Sequence, residues 1–236
     1  MSNFYLTIDD GPSKDTVKKL KFFETHNIRA IWFCLGKNLE QYPDIAIELI
    51  KKGHIIGNHS YSHPFFSKTG LDKCRNEIIK TEKIIDRLYK KANVVRPVKL
   101  FRFPYGDQGH FEDGKPSDNP KKITHKAKLQ KLLKNLGFQP GSFPRIEYKG
   151  IYSNQPEDLD WLWSYDIKEW SIGNTGGFKL THEQIKENLK TYLKTYSKNK
   201  NQIILIHDHD RKAKYFYNLI RTFLKSKVRF VLPKFI

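Results

Sequence analysis

Short apolar runs alternate with amphipathic stretches from one end of this chain to the other, and that alternation narrows the fold more than any other feature. Strand-length runs fall at 4–8, 30–35, 54–57, 99–102, 161–165, 202–206 and 229–232. Between them lie stretches with helical spacing, at 15–26, 42–52, 71–91, 122–136, 183–194 and 213–224. Ile45, Leu49 and Ile50 share one side of the second, which Gly53 ends. Ile78, Ile79, Ile84, Ile85 and Leu88 recur along the third. Val17, Leu20, Phe22 and Phe23 lie near one face of the first, and Gly137 stops the fourth. Thr181 is placed to cap the helix that carries Ile185, Leu189 and Leu193. Strand–helix alternation of this kind predicts a parallel sheet, here of about seven strands able to close into a barrel. No Pro/Ser-rich linker, charge break or internal repeat divides the chain, so residues 1–236 read as a single domain. The stretches 106–121 and 139–159 read as long loops, a length often used for lids and binding walls.

Composition excludes several classes. With 38% hydrophobic and 14% aromatic residues the 236-residue chain has the apolar surface that disordered chains lack. No run of 18 apolar residues occurs, so no membrane-spanning helix is expected. Cys34 and Cys74 make no disulfide framework. Cys34 sits inside an apolar run and reads as core, which fits a reducing compartment. The N-terminus lacks a basic region followed by a long apolar stretch, so no signal peptide is expected. A cytoplasmic protein follows from the sequence as it stands, an extracytoplasmic one if the N-terminus was trimmed.

The net charge is +18. Of its 43 cations, 34 are Lys and 9 are Arg, spread along helical stretches. The plain reading is solvated Lys on helix faces, and no nucleic-acid partner is expected. Attraction to anionic glycans or lipid headgroups is the intermediate reading. Oligomeric state is not legible.

Polar residues gather just after the strand-length runs. These are Asp9-Asp10-Gly-Pro12, His59-Ser-Tyr-Ser-His63, Arg102-Phe-Pro-Tyr105, Asp166 with Glu169-Trp170, and His207-Asp-His-Asp210. In parallel barrels the C-terminal strand ends meet on one face, so five separate clusters are expected to share one cleft. Two His at i and i+4 suit a divalent ion, and one carboxylate of Asp9-Asp10 would complete the set. The other Asp would take a proton from water, and a His across the cleft would give one to a leaving group. Each motif alone is ordinary; Asp-Asp-Gly-Pro is commonly just a turn. The five together, in this order, form the parts list of metal-assisted hydrolysis.

Thr7-Ile-Asp-Asp-Gly-Pro12, His59-Ser-Tyr-Ser-His63, Arg102-Phe-Pro-Tyr105, Asp166-Ile-Lys-Glu-Trp170 and Leu205-Ile-His207 resemble the five ordered motifs of the polysaccharide deacetylases. This is the NodB-homology group, carbohydrate esterase family four. The resemblance spans about residues 4 to 232 and implies a distorted (β/α)7 barrel. It implies Asp9 as general base, and Asp10, His59 and His63 as ligands of a divalent metal, usually zinc, with cobalt or another divalent ion as alternatives. It implies Arg102 as the cation that holds the base ionised and in place. The Tyr105 backbone N–H would face the oxyanion, Leu205 and Trp170 would wall the acetyl methyl, and His207 would be the general acid. The implied activity is N-deacetylation of an N-acetylhexosamine glycan: chitooligosaccharide, peptidoglycan, a surface polysaccharide or a lipid-linked sugar. O-acetyl ester cleavage on a xylan-like polymer and a non-catalytic glycan-binding barrel are the alternatives. The family generally has Asp directly before the Trp, where this chain has Glu169. Glu169 would orient His207 through another rotamer, or Asp166 would take that role. The connection from Tyr105 to Trp161 is longer than usual in the family, so substrate class does not carry over with it.

Overall fold

A computed structural model describes residues 2–140, 146, 148, 158–175 and 177–235, and for Arg211 the backbone alone. Five parallel strands form its main sheet, in the order β3-β2-β1-β7-β6. They are β1 (Phe4–Asp9), β2 (Ile31–Cys34), β3 (Ile55–Asn58), β6 (Tyr165–Asp166) and β7 (Gln202–His207). A short antiparallel hairpin, β4 (Phe111–Glu112) with β5 (Lys115–Pro116), stands apart. The helices are α1 (Thr16–Thr25), α2 (Gly36–Gln41), α3 (Pro43–Lys51), α4 (Leu71–Ala92), α5 (Pro120–Asn135), α6 (His182–Thr195) and α7 (Ala213–Lys225).

The expected barrel is present and distorted. On one side β3 continues into residues 100–102, where the Asn58 N–H donates to the Leu100 carbonyl and the Arg102 N–H to the Asn58 carbonyl. From there the Trp161 N–H reaches the Phe101 carbonyl, and the Ser164 N–H reaches Ile203 on β7. The expected strand at 99–102 is reduced to one residue, Phe101, which bridges Asn58 on one side and Asp160 on the other, and that at 229–232 to one bridge, Phe4 to Phe230. The run expected at 161–165 pairs only at its ends, at Asp160 and at Tyr165–Asp166. These thinned walls are what distort the barrel.

Period two along each strand decides which residues face the lumen. Tyr5, Ile31, Phe33, Leu100, Trp161 and Ile203 pack together inside. Their neighbours Phe4, Leu6, Ile8, Trp32, Ile204 and Ile206 pack outward against the helices. The inward series of β1 therefore runs Tyr5, Thr7, Asp9 and that of β7 runs Ile203, Leu205, His207. Register pairs Thr7 with Leu205 and Asp9 with His207. Polar residues that would be costly at mid-barrel thus arrive at its open end.

Elements missed from sequence have local causes. α2 is six residues long, too short for a period to register. The hairpin lies in the stretch 106–121 expected to be loop. Its turn residues Asp113 (φ 49°) and Gly114 (φ 78°) both have positive φ, the Asp-Gly signature of a type I′ turn. Most of the loop expected at 139–159 lies outside the described residues. Val17, placed near the apolar face of the first helix, is exposed instead; that face is built by Thr16, Lys19, Leu20 and Phe23. Thr181 caps α6 as expected, within a reciprocal box whose other half is Gln184. Cys34 and Cys74 are buried free thiols.

Gly36 sits where β2 hands over to α2, against α4 and the loop after β3. A Cβ there would lie 2.4 Å from Thr81 Oγ1 and 2.5 Å from a Tyr61 ring carbon. Gly36→Ala is expected to destabilise the chain by about 1–3 kcal/mol through overpacking, read as a lower midpoint in urea unfolding.

Candidate active site

The open end of the barrel carries a cavity of about 540 Å³, lined by Asp9, Asp10, His59, His63, Tyr105, Gly106, Trp163, Asp166, Trp170, Leu205, His207 and His209. Of the residues given a role from sequence, all but Arg102 and Glu169 line it. Those two are buried behind its wall, each in contact with a residue that does.

Arg102 is the floor. Its Nη1 donates to Asp9 Oδ1 at 2.7 Å and to Thr7 Oγ1 at 2.8 Å. Its Nε donates to the Trp161 carbonyl at 2.8 Å and its Nη2 to that of Leu162 at 3.2 Å. The guanidinium lies over the Phe33 ring at 4.3 Å. Burying such a cation is tolerable only because these partners, one a carboxylate, replace water. Arg102→Met would leave Asp9 buried and unpaired. A stability loss of about 3–5 kcal/mol is expected, measurable by denaturant unfolding.

Asp10 follows Asp9 with a left-handed backbone (φ 69°), so consecutive carboxylates point differently. Its N–H reaches the Phe33 carbonyl, and Asn38 Nδ2 donates to its carbonyl. Asp10 Oδ1 lies 3.3 Å from His63 Nε2 and 3.7 Å from His59 Nε2. That oxygen is buried and has no hydrogen-bond partner. One ligand atom from each of Asp10, His59 and His63 falls within 4.8 Å of the others, a spacing fit for a metal ion. The Nδ1 of His59 lies 2.8 Å from the Arg102 carbonyl, which leaves Nε2 for the shared space. Burial, then the neighbouring His59, push His63 down to about 4, so its imidazole is neutral and its lone pair available at neutral pH. Burial opposes a charge on Asp10, but His207, His59, His63 and His209 hold its carboxyl below the ordinary value. An orphaned oxygen, the neutral His63 imidazole, the free Nε2 of His59 and the mixed N/O donor set they make fit a borderline divalent cation such as zinc.

Across the cavity, His207 Nδ1 meets Glu169 Oε1 at 2.9 Å, and the His207 backbone N–H donates to that oxygen at 2.6 Å. Glu169 is 1% exposed. Burial disfavours charge on His207, yet the Glu169 carboxylate, its hydrogen bond, Asp10 and Asp166 outweigh it and raise the imidazole to about 10. The Asp166 carboxylate is engaged elsewhere. Its Oδ1 accepts the Lys168 N–H, and its Oδ2 accepts the Trp170 indole N–H at 3.1 Å. Asp166 thus holds Trp170, and Glu169 holds His207. Asp208 turns away from His207. It accepts Ser13 N–H and Oγ, each at 2.9 Å, as well as Thr16 Oγ1 and the buried Lys19 ammonium.

Tyr105 is left-handed too (φ 61°), as is His63 (φ 67°). Three non-glycine residues in this region at one site mark stored strain, of about 1–2 kcal/mol each. The Tyr105 ring stacks on Phe65 at 3.9 Å and meets His63 edge-on at 4.4 Å. His209 was not singled out from sequence. It lies 3.6 Å from Asp10 Oδ2, with its ring parallel to that of His207. A second cavity of about 660 Å³ shares Asp10, His63, Trp170 and His209 and extends the cleft toward Lys37, Tyr42 and Lys212.

The polysaccharide deacetylase family model matches residues 2–134, and the chain belongs to that family. Among curated relatives, a peptidoglycan-N-acetylglucosamine deacetylase of Bacillus cereus is 46% identical over 103 residues, 43% of this chain and 36% of that protein. The peptidoglycan-N-acetylmuramic acid deacetylase PdaC of Bacillus subtilis is 36% identical over 43% of this chain and 21% of its own length. These matches take in well under two thirds of the relatives. Among solved structures, the Bc1960 peptidoglycan N-acetylglucosamine deacetylase has a TM-score of 0.63 at 26% identity, covering 97% of this chain and 85% of that one. The polysaccharide deacetylase Bc1974 of Bacillus cereus has a TM-score of 0.67 at 23% identity, covering 99% and 93%. No helix among the described residues is long and apolar enough to cross a membrane.

Proposed function

We propose that this protein is a divalent-metal-dependent hydrolase that removes N-acetyl groups from an N-acetylhexosamine glycan, peptidoglycan first among the candidates. One observation carries the reading. The orphaned Asp10 Oδ1 faces the Nε2 atoms of His59 and His63, and the Glu169–His207 couple stands opposite in the same cavity. In this reading Asp10, His59 and His63 hold the ion. When bound, it supplies Lewis acidity toward a carbonyl oxygen and a more acidic water.

The remaining work falls to the chain itself. Asp9, fixed by Arg102, accepts the proton of the attacking water. Leu205 and Trp170 enclose the acetyl methyl, with Trp170 braced by Asp166. The Tyr105 backbone N–H faces the developing oxyanion. His207 delivers a proton to the departing amine nitrogen, and Glu169 fixes which ring nitrogen faces the substrate. A peptidoglycan substrate goes with placement outside the cytoplasm, and the relatives that carry that substrate in their names support it.

The test is acetate release from chitooligosaccharide, peptidoglycan and acetylxylan, with and without chelator. Loss on chelation and recovery with zinc or cobalt are expected. Full activity in a metal-free preparation would overturn the reading, and release from acetylxylan alone would make the protein an esterase. His63→Ala should weaken metal binding at least about 100-fold in a competition titration, because two protein ligands hold a divalent ion poorly.

A further inference from the structure

Helices α6 and α7 lie side by side on the outer wall of the barrel. Both begin at its open end, after the loops that carry Glu169 and His207. A groove of about 500 Å³ runs between them. Lys186 and Lys190, one turn apart, line one side; Arg221 and Lys225, also one turn apart, line the other. None of the lining residues is acidic. Lys190 reaches Glu187 at 2.5 Å, whereas Lys186, Arg221 and Lys225 form no ion pair among the described residues. Arg221 is steadied over the Phe22 ring at 5.2 Å. His182, packed on Tyr215, also lines the groove, and its Nε2 is buried without a hydrogen-bond partner.

Like charges at i and i+4 destabilise a helix slightly, and two such pairs facing across one groove add to the cost. A concave surface of one sign also concentrates its field and attracts counter-charge. The spacing says what shape of anion fits. Residues four apart on a helix rise about 6 Å, so the groove presents two ladders of cations with that repeat. A phosphodiester chain with three-carbon linkers repeats its charge on the same scale. A flat bilayer cannot follow a groove between two helices. The lining offers no Phe, Tyr or Trp on which nucleic-acid bases would stack. We propose that the α6–α7 groove binds a linear, base-free polyphosphodiester laid along the helix axes. The site is separate from the cleft and would anchor the protein on an anionic polymer beside its substrate.

The test uses the whole chain and a fluorescent poly(glycerol phosphate) probe, followed by anisotropy at about 0.1 M salt. Lys186→Glu/Arg221→Glu/Lys225→Glu is compared with Lys121→Glu/Lys128→Glu/Lys131→Glu. The second triple makes the same charge change on the open surface of α5, where those lysines are exposed. The groove variant is expected to lose at least about tenfold in affinity and the α5 variant less than about threefold. If the groove triple fails to fold, Lys186→Gln/Lys225→Gln against Lys128→Gln/Lys131→Gln keeps the same comparison, with a measurable loss expected in the first alone. Equal losses on both surfaces would overturn the proposal, because attraction would then belong to the net charge. Tighter binding of oligothymidylate or of phosphatidylserine vesicles than of the probe would overturn it as well.

Discussion

Asp9→Asn is expected to lower turnover by about 10³-fold while one divalent ion per chain stays bound, the loss typical of removing a general base. Asp10→Asn is expected to do the reverse at the metal. It should weaken the ion by at least about 100-fold, beyond the loss usual for an outer-shell partner, and lose activity with it. The neighbouring carboxylates differ because Asp9 Oδ1 is spent on Arg102 whereas Asp10 Oδ1 is spent on nothing. Metal content by competition titration, read beside acetate release, separates the two. Asp9→Asn also leaves the Arg102 charge uncompensated, so its unfolding midpoint has to be measured. If Asp9→Asn loses the ion and Asp10→Asn keeps it, the two assignments are exchanged.

Glu169→Gln is expected to cut turnover by about 100-fold with metal content unchanged, and to move the alkaline limb of the pH–rate profile down. The sign follows from the carboxylate. Glu169 is the chief group holding the His207 pKa near 10 rather than at its ordinary 6.5, so the acid stays protonated through neutral pH and is lost as pH rises past the raised value. Without that charge the limb should fall toward 6.5. The Gln side-chain carbonyl can still accept the His207 backbone N–H, so the loop should keep its course. His207→Ala should be at least as damaging, and the double variant should add little, because the pair acts as one unit. An unmoved limb would mean that the burial and charges around His207 set its proton without Glu169.

Period and punctuation made most of the barrel legible. β1, β2, β3 and β7 are apolar runs bounded by turn residues, and the residues after them converge as strand ends in a parallel barrel must. Legibility failed where pairing is thin. Residues 99–102 and 229–232 look like strands by composition, but whether they pair along their length depends on neighbours distant in sequence. Within the site, residue type and order exposed the two Asp, the His pair, Arg102 and His207. They could not choose between Asp166 and Glu169, because that depends on which carboxylate lies beneath the imidazole and which beneath the Trp170 indole. His209 lies in a cluster expected at the cleft, but only the fold shows that it meets Asp10. The left-handed backbone at Asp10, His63 and Tyr105 left no compositional trace, since none is a glycine.

Arg102 does more than anchor a carboxylate. The wall it faces, residues 160–164, meets its neighbours through few backbone hydrogen bonds, and two of its carbonyls, on Trp161 and Leu162, are tied to this one guanidinium. The same cation holds Asp9. Parting the barrel at that wall is therefore expected to loosen the base as well. Heating should extinguish turnover together with amide protection at Trp161 and Ser164, ahead of the helices that wrap the opposite wall. Mobility gained at this wall would thus come at the expense of the base that Arg102 holds.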